Sequence, residues 1–397
     1  MKTRAALLGI LALVIAGARG EAHKPITSPY NYNAHVFPIL KARCGACHVE
    51  GGIAPMSLMT HTDAVPWGES IRAEVTAGHM PPWPVDMPHD GFRNGSPMTA
   101  RELNVLLTWA TGGTPPGEPD RAPPPVTLAS AWPLGQPDLE LSLMPVTLGT
   151  DRQEQTISFA VATNTSEPRW IRAVDLLPGA PAMVRSADIR VVSTAASTSA
   201  SGSVSDRRLA LWVPGEPPAP LDAGAGFELP AASQLAIRIR YKKTWQYERK
   251  ALMDRSRVGL YFAEGPVMPL QALTIDVDAP APAATGAPSV TGTVKTLERD
   301  VRALAIYPEA LPRGARVAVE AVLPDGSQEM LISARAQPDW PRRYWFKKPI
   351  ALPRGTRLNV HVSRDEEADL EPTPAPPSPP RPADSARPRV VLDLVEP

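Results

Sequence analysis

The spacing of apolar and polar residues divides the chain into a helical region and a β-rich region. Before residue 113, apolar residues recur at helical intervals over 37–43, 66–77 and 103–110. Thr99 and Glu102 precede the last of these runs with the spacing of a capping box. Three short helices are therefore predicted in the first part of the chain.

Beyond residue 125 the period changes to two, which is typical of strands with one buried face. Turn signals such as Pro324-Asp325-Gly326 separate short runs that are rich in β-branched or aromatic residues. The predicted strands are 156–163, 170–176, 235–241, 258–262, 315–323, 330–334 and 357–362. Short strands at this spacing predict antiparallel sandwiches rather than a parallel sheet.

Three stretches between and after these strands show neither the helical spacing nor the period of two. Residues 193–205 are small and polar, as in a loop, and residues 279–289 have the Ala, Pro and Gly content of a linker. Residues 372–388 are rich in proline and predict an extended spacer. After this spacer, residues 390–395 are expected to add one packed strand, with docking of a partner as the alternative.

These patterns predict a multidomain chain in which a small α-helical domain precedes two antiparallel β-sandwich domains. The expected division is a signal peptide over 1–20, a helical domain over 21–118, a Pro-rich linker over 119–132, a first β-sandwich over 133–278, a linker over 279–290, a second β-sandwich over 291–370 and a Pro-rich tail over 371–397.

Charge and composition narrow the class of protein. The chain has 397 residues, with 41 Lys and Arg balanced by 41 Asp and Glu, so binding of nucleic acid through bulk positive charge is not expected. Lys2 and Arg4 precede a short apolar run and a cluster of small residues that together are typical of an export signal. The run is too short to span a bilayer comfortably, so we expect an exported, periplasmic or extracellular protein, with an uncleaved anchor as the alternative.

The two cysteines of the chain lie in one motif, Cys44-Gly45-Ala46-Cys47-His48. Two thiols at this spacing can each form a thioether with a haem vinyl group, and the following His48 can then ligate the iron. A zinc site would need a second ligand pair, and a redox dithiol would need a βαβ context, which the pattern lacks. The motif therefore predicts one covalent haem c, bound by Cys44 and Cys47 with His48 as the proximal ligand.

A second axial ligand is expected from the segment that follows the motif. Met80 comes shortly after Gly78, and the prolines after Met80 favour an extended loop that could hold its sulfur over a haem face. Met80 is the predicted distal ligand, with Met56 or His61 as the alternative. The other candidates in this segment are Met59, Met87, Met98, His79 and His89.

Residues 30–115 resemble a small cytochrome c domain. The resemblance is carried by the helix before Cys44-Gly45-Ala46-Cys47-His48, the loop around Met80-Pro81 and a closing helix that ends in Trp109-Ala110-Thr111-Gly112-Gly113. It implies that the chain carries electrons one at a time.

Residues 133–365 resemble copper type II, ascorbate-dependent monooxygenases. The matching segments are Trp170 to Gly179, Trp212-Val213-Pro214-Gly215, Arg255 to Phe262, Ile306-Tyr307-Pro308, Pro324-Asp325-Gly326-Ser327 and Leu352 to Thr356. The resemblance implies two consecutive jelly-roll domains, which in the bacterial form follow a cytochrome c domain.

The copper ligands of that family are missing from the matching positions. Arg185-Ser186 replaces a His pair, Arg240 replaces a further His, and Glu309-Ala310-Leu311 replaces a His-x-His; the last Met is Met330, where a later one is expected. Of the seven histidines, His361 alone lies beyond the helical region. Since copper prefers imidazole and soft sulfur ligands, no copper is expected, and Arg240 is expected to be an ordinary solvated or ion-paired residue.

Together these features predict an exported single-haem c-type cytochrome that transfers electrons to or from a redox partner protein. The monooxygenase-like β domains would act as docking or scaffold modules, because a fold can persist after its site is lost. The alternatives are a haem-based sensor with a weakly held sixth position, a copper-dependent monooxygenase, and a purely structural or interaction protein. The sequence leaves the partner and the oligomeric state open.

Overall fold

A computed structural model describes residues 27–82, 85, 91–95, 97–192, 206–221, 224–265, 267–278, 290–312, 315–364 and 387–397. The predicted signal peptide, the loop over 193–205, the linker over 279–289 and most of the Pro-rich tail lie outside these residues. Strands make up 41% of the structure and helices 15%, and most of the strands form antiparallel sheets. The expectation of a β-rich multidomain fold is thus confirmed.

The helices lie in the first part of the chain and pack around one small core. A π-helical turn, Tyr32–Val36, leads into the first of the α-helices, which are α1 (Phe37–Arg43), α2 (His61–Ala64), α3 (Gly68–Thr76) and α4 (Ala100–Thr111). Tyr32, Leu40, Leu106 and Trp109 are fully buried between them. The capping box of α4 is confirmed, because Thr99 and Glu102 each accept a hydrogen bond from the other's backbone N–H.

A first pair of sheets follows the helices. Its strands are β1 (Leu139–Ser142), β2 (Val146–Leu148), β3 (Glu154–Ala162), β4 (Arg169–Leu177), β5 (Val184–Val192), β6 (Asp206–Trp212), β7 (Ala225–Leu229), β8 (Gln234–Lys242), β9 (Leu252–Asp254), β10 (Arg257–Phe262) and β11 (Met268–Pro269). The sheet β1-β10-β4-β7-β11 and the sheet β3-β8-β5-β6 bury one apolar core between them, and β2 pairs with β9. This part of the chain is a β-sandwich.

A second sandwich completes the chain. Its strands are β12 (Gln271–Asp276), β13 (Val290–Thr296), β14 (Val301–Glu309), β15 (Ala315–Val322), β16 (Gln328–Arg335), β17 (Tyr344–Leu352), β18 (Arg357–Arg364) and β19 (Arg389–Val395). They form two antiparallel sheets, in the orders β12-β19-β14-β17 and β13-β18-β15-β16, around a second core.

Each of the seven strands predicted between residues 156 and 362 overlaps an observed strand, as does the terminal strand predicted over 390–395, but several observed strands were not predicted. Strand β14 shows the reason. Its residues 303–307 are buried without interruption, because Ile306 contributes to the core of the second sandwich while Leu304 and Ala305 pack into the core of the first. A strand that is covered on both faces loses the alternation on which the prediction depends.

Strand pairing differs from the expected domain limits at two places. Strand β12 lies within the range predicted for the first sandwich, and β19 lies within the predicted tail, yet the two pair with each other in the second sandwich. Strand β19 also pairs with β14, so the predicted terminal strand is a packed inner strand of its sheet. Pairing is made by backbone groups, which leave no trace in composition.

A short segment of the helical part pairs with the second sandwich. The N–H of Arg93 donates to the carbonyl of Trp345 at 2.8 Å, and the N–H of Lys347 donates to the carbonyl of Gly91 at 2.9 Å. Val85 and Phe92 are buried in the second core. The helices are therefore held against the sandwiches by both backbone pairing and apolar contact. No helix in the part of the chain that the structure describes has the length and apolar character needed to cross a membrane.

Replacement of the buried Asp254 tests how the first sandwich is held together. Its carboxylate accepts hydrogen bonds from Tyr241, from the backbone of Ala180 and from both the backbone and the hydroxyl of Ser256, at 2.7 to 3.1 Å. Asp254→Ala leaves these donors without an acceptor, so we expect it to lower the free energy of unfolding in urea by about 3 kcal/mol or more. Asp325→Ala, in an exposed turn, is the control and should have a much smaller effect. A loss below about 1 kcal/mol for Asp254→Ala would contradict this assignment.

Candidate functional site

The Cys-x-x-Cys-His motif forms a tight turn directly after α1, hereafter the Cys44–His48 turn. The N–H groups of Cys44 and Gly45 both donate to the Leu40 carbonyl at 2.8 Å, and the N–H of His48 donates to the Cys44 carbonyl at 2.8 Å. A Cβ atom at Gly45 would lie 2.7 Å from the Lys41 carbonyl oxygen, so this position requires glycine. The turn therefore holds both thiols and the imidazole on one short stretch of backbone.

The imidazole of His48 has the protonation state of a metal ligand. Burial lowers the pKa of His48 below its ordinary value, although the hydrogen bond to the Met56 carbonyl opposes the shift, so the ring is neutral near pH 7. Its Nδ1 lies 3.2 Å from the carbonyl oxygen of Met56. Because a carbonyl only accepts hydrogen bonds, Nδ1 carries the proton and Nε2 keeps a free lone pair. A backbone acceptor of this kind is the usual orienting partner of a ligating histidine.

The two thiols are free and half-buried. Burial raises the pKa of Cys44 to about 12, and the neighbouring Cys47 adds to the shift. Burial also raises the pKa of Cys47 to about 11, while the positive charges of Arg185 and Arg342 oppose the shift. Both groups are therefore thiols at neutral pH. This differs from the reactive Cys-x-x-Cys pairs of disulfide oxidoreductases, whose thiol pKa is lowered.

A loop of the first sandwich contacts the outer side of the Cys44–His48 turn. Cys47 Sγ lies 3.9 Å from the carbonyl oxygen of Pro214, within reach of a weak S–H···O hydrogen bond. A Cβ atom at Gly215 would lie 2.0 Å from the Cβ of Ala46, and Gly215 has a φ of +77°. The loop can approach this closely because the residue that faces Ala46 has no side chain.

Three arginines of the two sandwiches are hereafter called the arginine cluster: Arg185 on β5, Arg240 on β8 and Arg342 just before β17. Arg240 forms ion pairs with Glu154 at 2.6 Å and with Asp339 at 2.5 Å, and Arg342 forms one with Glu216 at 2.9 Å. The guanidinium of Arg185 stacks on the Trp340 ring at 4.9 Å. Burial lowers the pKa of Arg185, and the charge of Arg240 lowers it further.

The candidates for the sixth ligand differ in what they contact. His61 Nε2 lies 2.8 Å from the Thr114 carbonyl, His79 Nδ1 lies 3.2 Å from a Glu74 carboxylate oxygen, and the buried Met59 packs against Gly45. Met80 is half-buried in the turn that follows α3, and its N–H donates to the Glu74 carbonyl at 3.3 Å. Met56 and Met98 are also half-buried, whereas Met87 and His89 lie outside the described residues.

Arg185 and Arg240, which the sequence analysis matched to copper ligands of the resembled family, are both members of the arginine cluster. Arg240, expected to be solvated or ion-paired, is buried and ion-paired with two carboxylates. Glu309 forms ion pairs with Arg208 and Arg389, and His361 is exposed on β18. Within the described residues, no three His, Cys, Asp or Glu side chains come together as a metal site.

Sequence reasoning placed Cys44, Cys47 and His48 on one turn, but it missed the groups that contact the turn from the sandwich. Pro214 and Gly215 were noted in a turn motif, and Arg185 was noted as a replaced ligand. Arg342 was not singled out. No sequence signal connects these residues with Cys47, because more than 130 positions separate each of them from it along the chain.

Comparison with known proteins does not assign the chain to a family. No protein-family model and no curated protein matches it. Among solved structures, the PBSX exported protein XepA covers 71% of this chain and 100% of its own, at 9% identity and a TM-score of 0.19. Allantoicase covers 53% and 74%, at 13% identity and a TM-score of 0.17. Oxalate decarboxylase from Bacillus subtilis covers 65% and 77%, at 8% identity and a TM-score of 0.14. TM-scores this low carry no conclusion about fold or function.

The raised thiol pKa values predict a measurable pH dependence in protein whose thiols are free. Iodoacetamide reacts with the thiolate, so the alkylation rate of Cys47 should inflect near pH 11 and that of Cys44 near pH 12. The same chain unfolded in urea should show an inflection at about 8.5, the ordinary value for cysteine. Mass spectrometry of each peptide measures both rates. An inflection as low in the folded chain as in urea would contradict the burial of the thiols.

Proposed function

We propose that this chain is an exported, single-haem c-type cytochrome that carries electrons, and that its two β-sandwiches are docking or scaffold modules. The observation that carries the proposal is the Cys44–His48 turn. Two free thiols on one turn are followed by a neutral imidazole whose Nδ1 is held by the Met56 carbonyl and whose Nε2 is free to bind iron.

The residues of the turn fit a covalent haem c. Cys44 and Cys47 would each add their S–H across one vinyl group, and His48 Nε2 would be the proximal ligand. A haem bound in this way supplies a reversible one-electron couple at its iron. The hydrogen bond from His48 Nδ1 to a fixed carbonyl would hold the orientation of the imidazole during that change.

Met80 would be the distal ligand in this proposal. Its half-buried side chain follows α3 and precedes two prolines, and the alternative His61 already has a hydrogen bond from its Nε2 to a backbone carbonyl. A Met and His pair of axial ligands raises the reduction potential relative to other pairs, which suits an electron carrier.

The β-sandwiches support a scaffold or docking role rather than hydroxylation at copper. Arg185 and Arg240 bring positive charge to positions where the resembled monooxygenases have copper-binding histidines, and positive side chains do not bind copper. The close contact of Pro214 and Gly215 with the Cys44–His48 turn favours a sandwich that is part of the environment of the haem.

Loss of the attachment residues tests the presence of covalent haem. In protein made together with haem-maturation machinery, the wild type should keep its haem through denaturation and acid–acetone extraction. The double variant Cys44→Ala, Cys47→Ala should contain none, and His48→Ala should lose its low-spin spectrum because the proximal ligand is gone. His361→Ala, an exposed histidine of β18, is the control and should match the wild type. Wild-type protein without covalent haem would refute the proposed function.

The visible spectrum of the ferric protein tests the distal ligand. We expect the far-red band of Met-ligated ferric haem in the wild type and in Met98→Ala, and its loss in Met80→Ala, because only Met80 donates its sulfur to iron. Reduced Met80→Ala should also bind carbon monoxide readily through the vacated position. A wild-type spectrum that is high-spin or bis-His and is unchanged in Met80→Ala would exclude Met80 and favour a haem-based sensor.

A further inference from the structure

One buried hydroxyl of the helical part contacts the segment that holds the ring of His48. Tyr32 lies in the π-helical turn before α1 and is fully buried, and its hydroxyl donates to the carbonyl of Leu58 at 2.8 Å. The backbone N–H of Tyr32 donates to the carbonyl of Pro115 at 2.9 Å. Its ring packs against that of Trp109, with the two centroids 6.1 Å apart. Tyr32 is therefore held by its backbone and its ring, and it reaches Leu58 from a different element of the fold.

Leu58 belongs to the same short segment as the carbonyl that orients His48. The Nδ1 of His48 lies 3.2 Å from the Met56 carbonyl oxygen, and the N–H of Leu58 donates to the His48 carbonyl at 3.0 Å. Residues 56–58 thus contact both the ring and the backbone of His48. The hydroxyl of Tyr32 holds the end of this segment, two residues from the carbonyl that accepts from the imidazole.

We infer that Tyr32 is a positioning residue for the proximal ligand: its hydroxyl fixes residues 56–58 and so keeps the Met56 carbonyl in hydrogen-bond contact with His48 Nδ1. This inference rests on the proposed function. An imidazole that donates from Nδ1 is a more basic ligand through Nε2, and it favours ferric iron, which carries one more positive charge than ferrous iron. When a redox partner supplies one electron, ferric iron becomes ferrous, and no bond is made or broken. A weaker hydrogen bond at Nδ1 should therefore raise the reduction potential.

Packing alone does not account for a tyrosine at this position. The ring of a phenylalanine would fill the same space against Trp109, and it would avoid the cost of burying a hydroxyl. The bond to the Leu58 carbonyl offsets that cost, and it is the property that distinguishes Tyr32 from phenylalanine. Burial also raises the pKa of Tyr32, so the hydroxyl keeps its proton and acts as a donor near pH 7.

The midpoint potential of the haem-containing protein, measured by spectroelectrochemistry, tests this inference. Tyr32→Phe removes the hydroxyl and keeps the ring. It should shift the one-electron equilibrium with a reference dye roughly threefold toward the reduced state, equivalent to a rise of about 28 mV. The Nδ1–H of His48 should also exchange faster with solvent deuterium, followed by proton NMR, because a loosened hydrogen bond protects it less.

Tyr30→Phe is the matched control. Tyr30 is a half-buried tyrosine that packs against the same core, and its hydroxyl accepts a hydrogen bond from the Asn104 side chain at 3.2 Å. This variant loses a hydroxyl that bonds to α4 instead of to residues 56–58. Both the potential and the exchange rate of His48 Nδ1–H should therefore match the wild type.

Two results would overturn the inference while leaving the proposed function intact. One is a wild-type potential and a wild-type exchange rate in Tyr32→Phe with full haem content. The other is an equal change in Tyr30→Phe, which would show a general loosening of the helical core. Absence of covalent haem from the wild type would instead refute the proposed function.

A second variant keeps the inference testable if Tyr32→Phe fails to fold. Ser57→Ala removes the hydroxyl that accepts from the Met59 N–H at 3.1 Å, which loosens the same segment without touching Tyr32. It should raise the potential and speed the exchange of His48 Nδ1–H. Because Tyr32 acts on His48 through this segment, unchanged values in Ser57→Ala would refute the inference.

Discussion

The carboxylate of Glu216 is the point at which the three parts of the structure meet. It belongs to the loop after β6 of the first sandwich, it accepts a hydrogen bond from Asn94 of the helical part, and it forms an ion pair with Arg342 of the second sandwich. Burial raises the pKa of Glu216, and the charge of Arg342 opposes that shift, so the ionised form depends on these partners. Removal of one partner from a buried ion pair leaves an uncompensated charge, which makes the mutual position of the three parts energetically costly to change.

The backbone around this carboxylate reinforces the same arrangement. The side chain of Asn94 also donates to the Arg343 carbonyl at 2.7 Å and accepts from the Trp345 N–H at 2.9 Å, so one amide connects the helical part to two residues around the start of β17. The loop that carries Glu216 also contains Pro214 and Gly215, which contact the Cys44–His48 turn. The position of the first sandwich against Cys47 thus follows from the hydrogen bond and the ion pair that Glu216 forms with the other two parts of the chain. A haem at this turn would have the first sandwich beside its thioether edge, so the sandwich would shape both its electrostatic environment and its access to partners.

Local sequence patterns predicted the structure correctly wherever one short segment contains all the residues that stabilise it. The capping box at Thr99 and Glu102 is satisfied within four residues, and the Pro324-Asp325-Gly326 turn closes a hairpin with Gly326 at a φ of +86°. Along most of strands β3 and β8, more buried side chains alternate with more exposed ones. The predicted limits of these strands differ from the observed ones by one or two residues. Strand β14 was missed because two different cores cover its faces, and the membership of β12 and β19 was misjudged because hydrogen bonds between distant backbones set it.

The candidate site shows the same difference between what a local sequence pattern predicts and what contacts between distant segments determine. The sequence alone determined the spacing of Cys44, Cys47 and His48, and with it the prediction of covalent haem, because a turn of five residues leaves little freedom to its side chains. It also determined that the copper ligands of the resembled family are absent. Only the tertiary structure decided that Met56 orients His48 and that the Pro214 loop contacts Cys47. The physical reason is that burial and charge act through space, and these groups come together only when the three parts of the chain pack around Glu216.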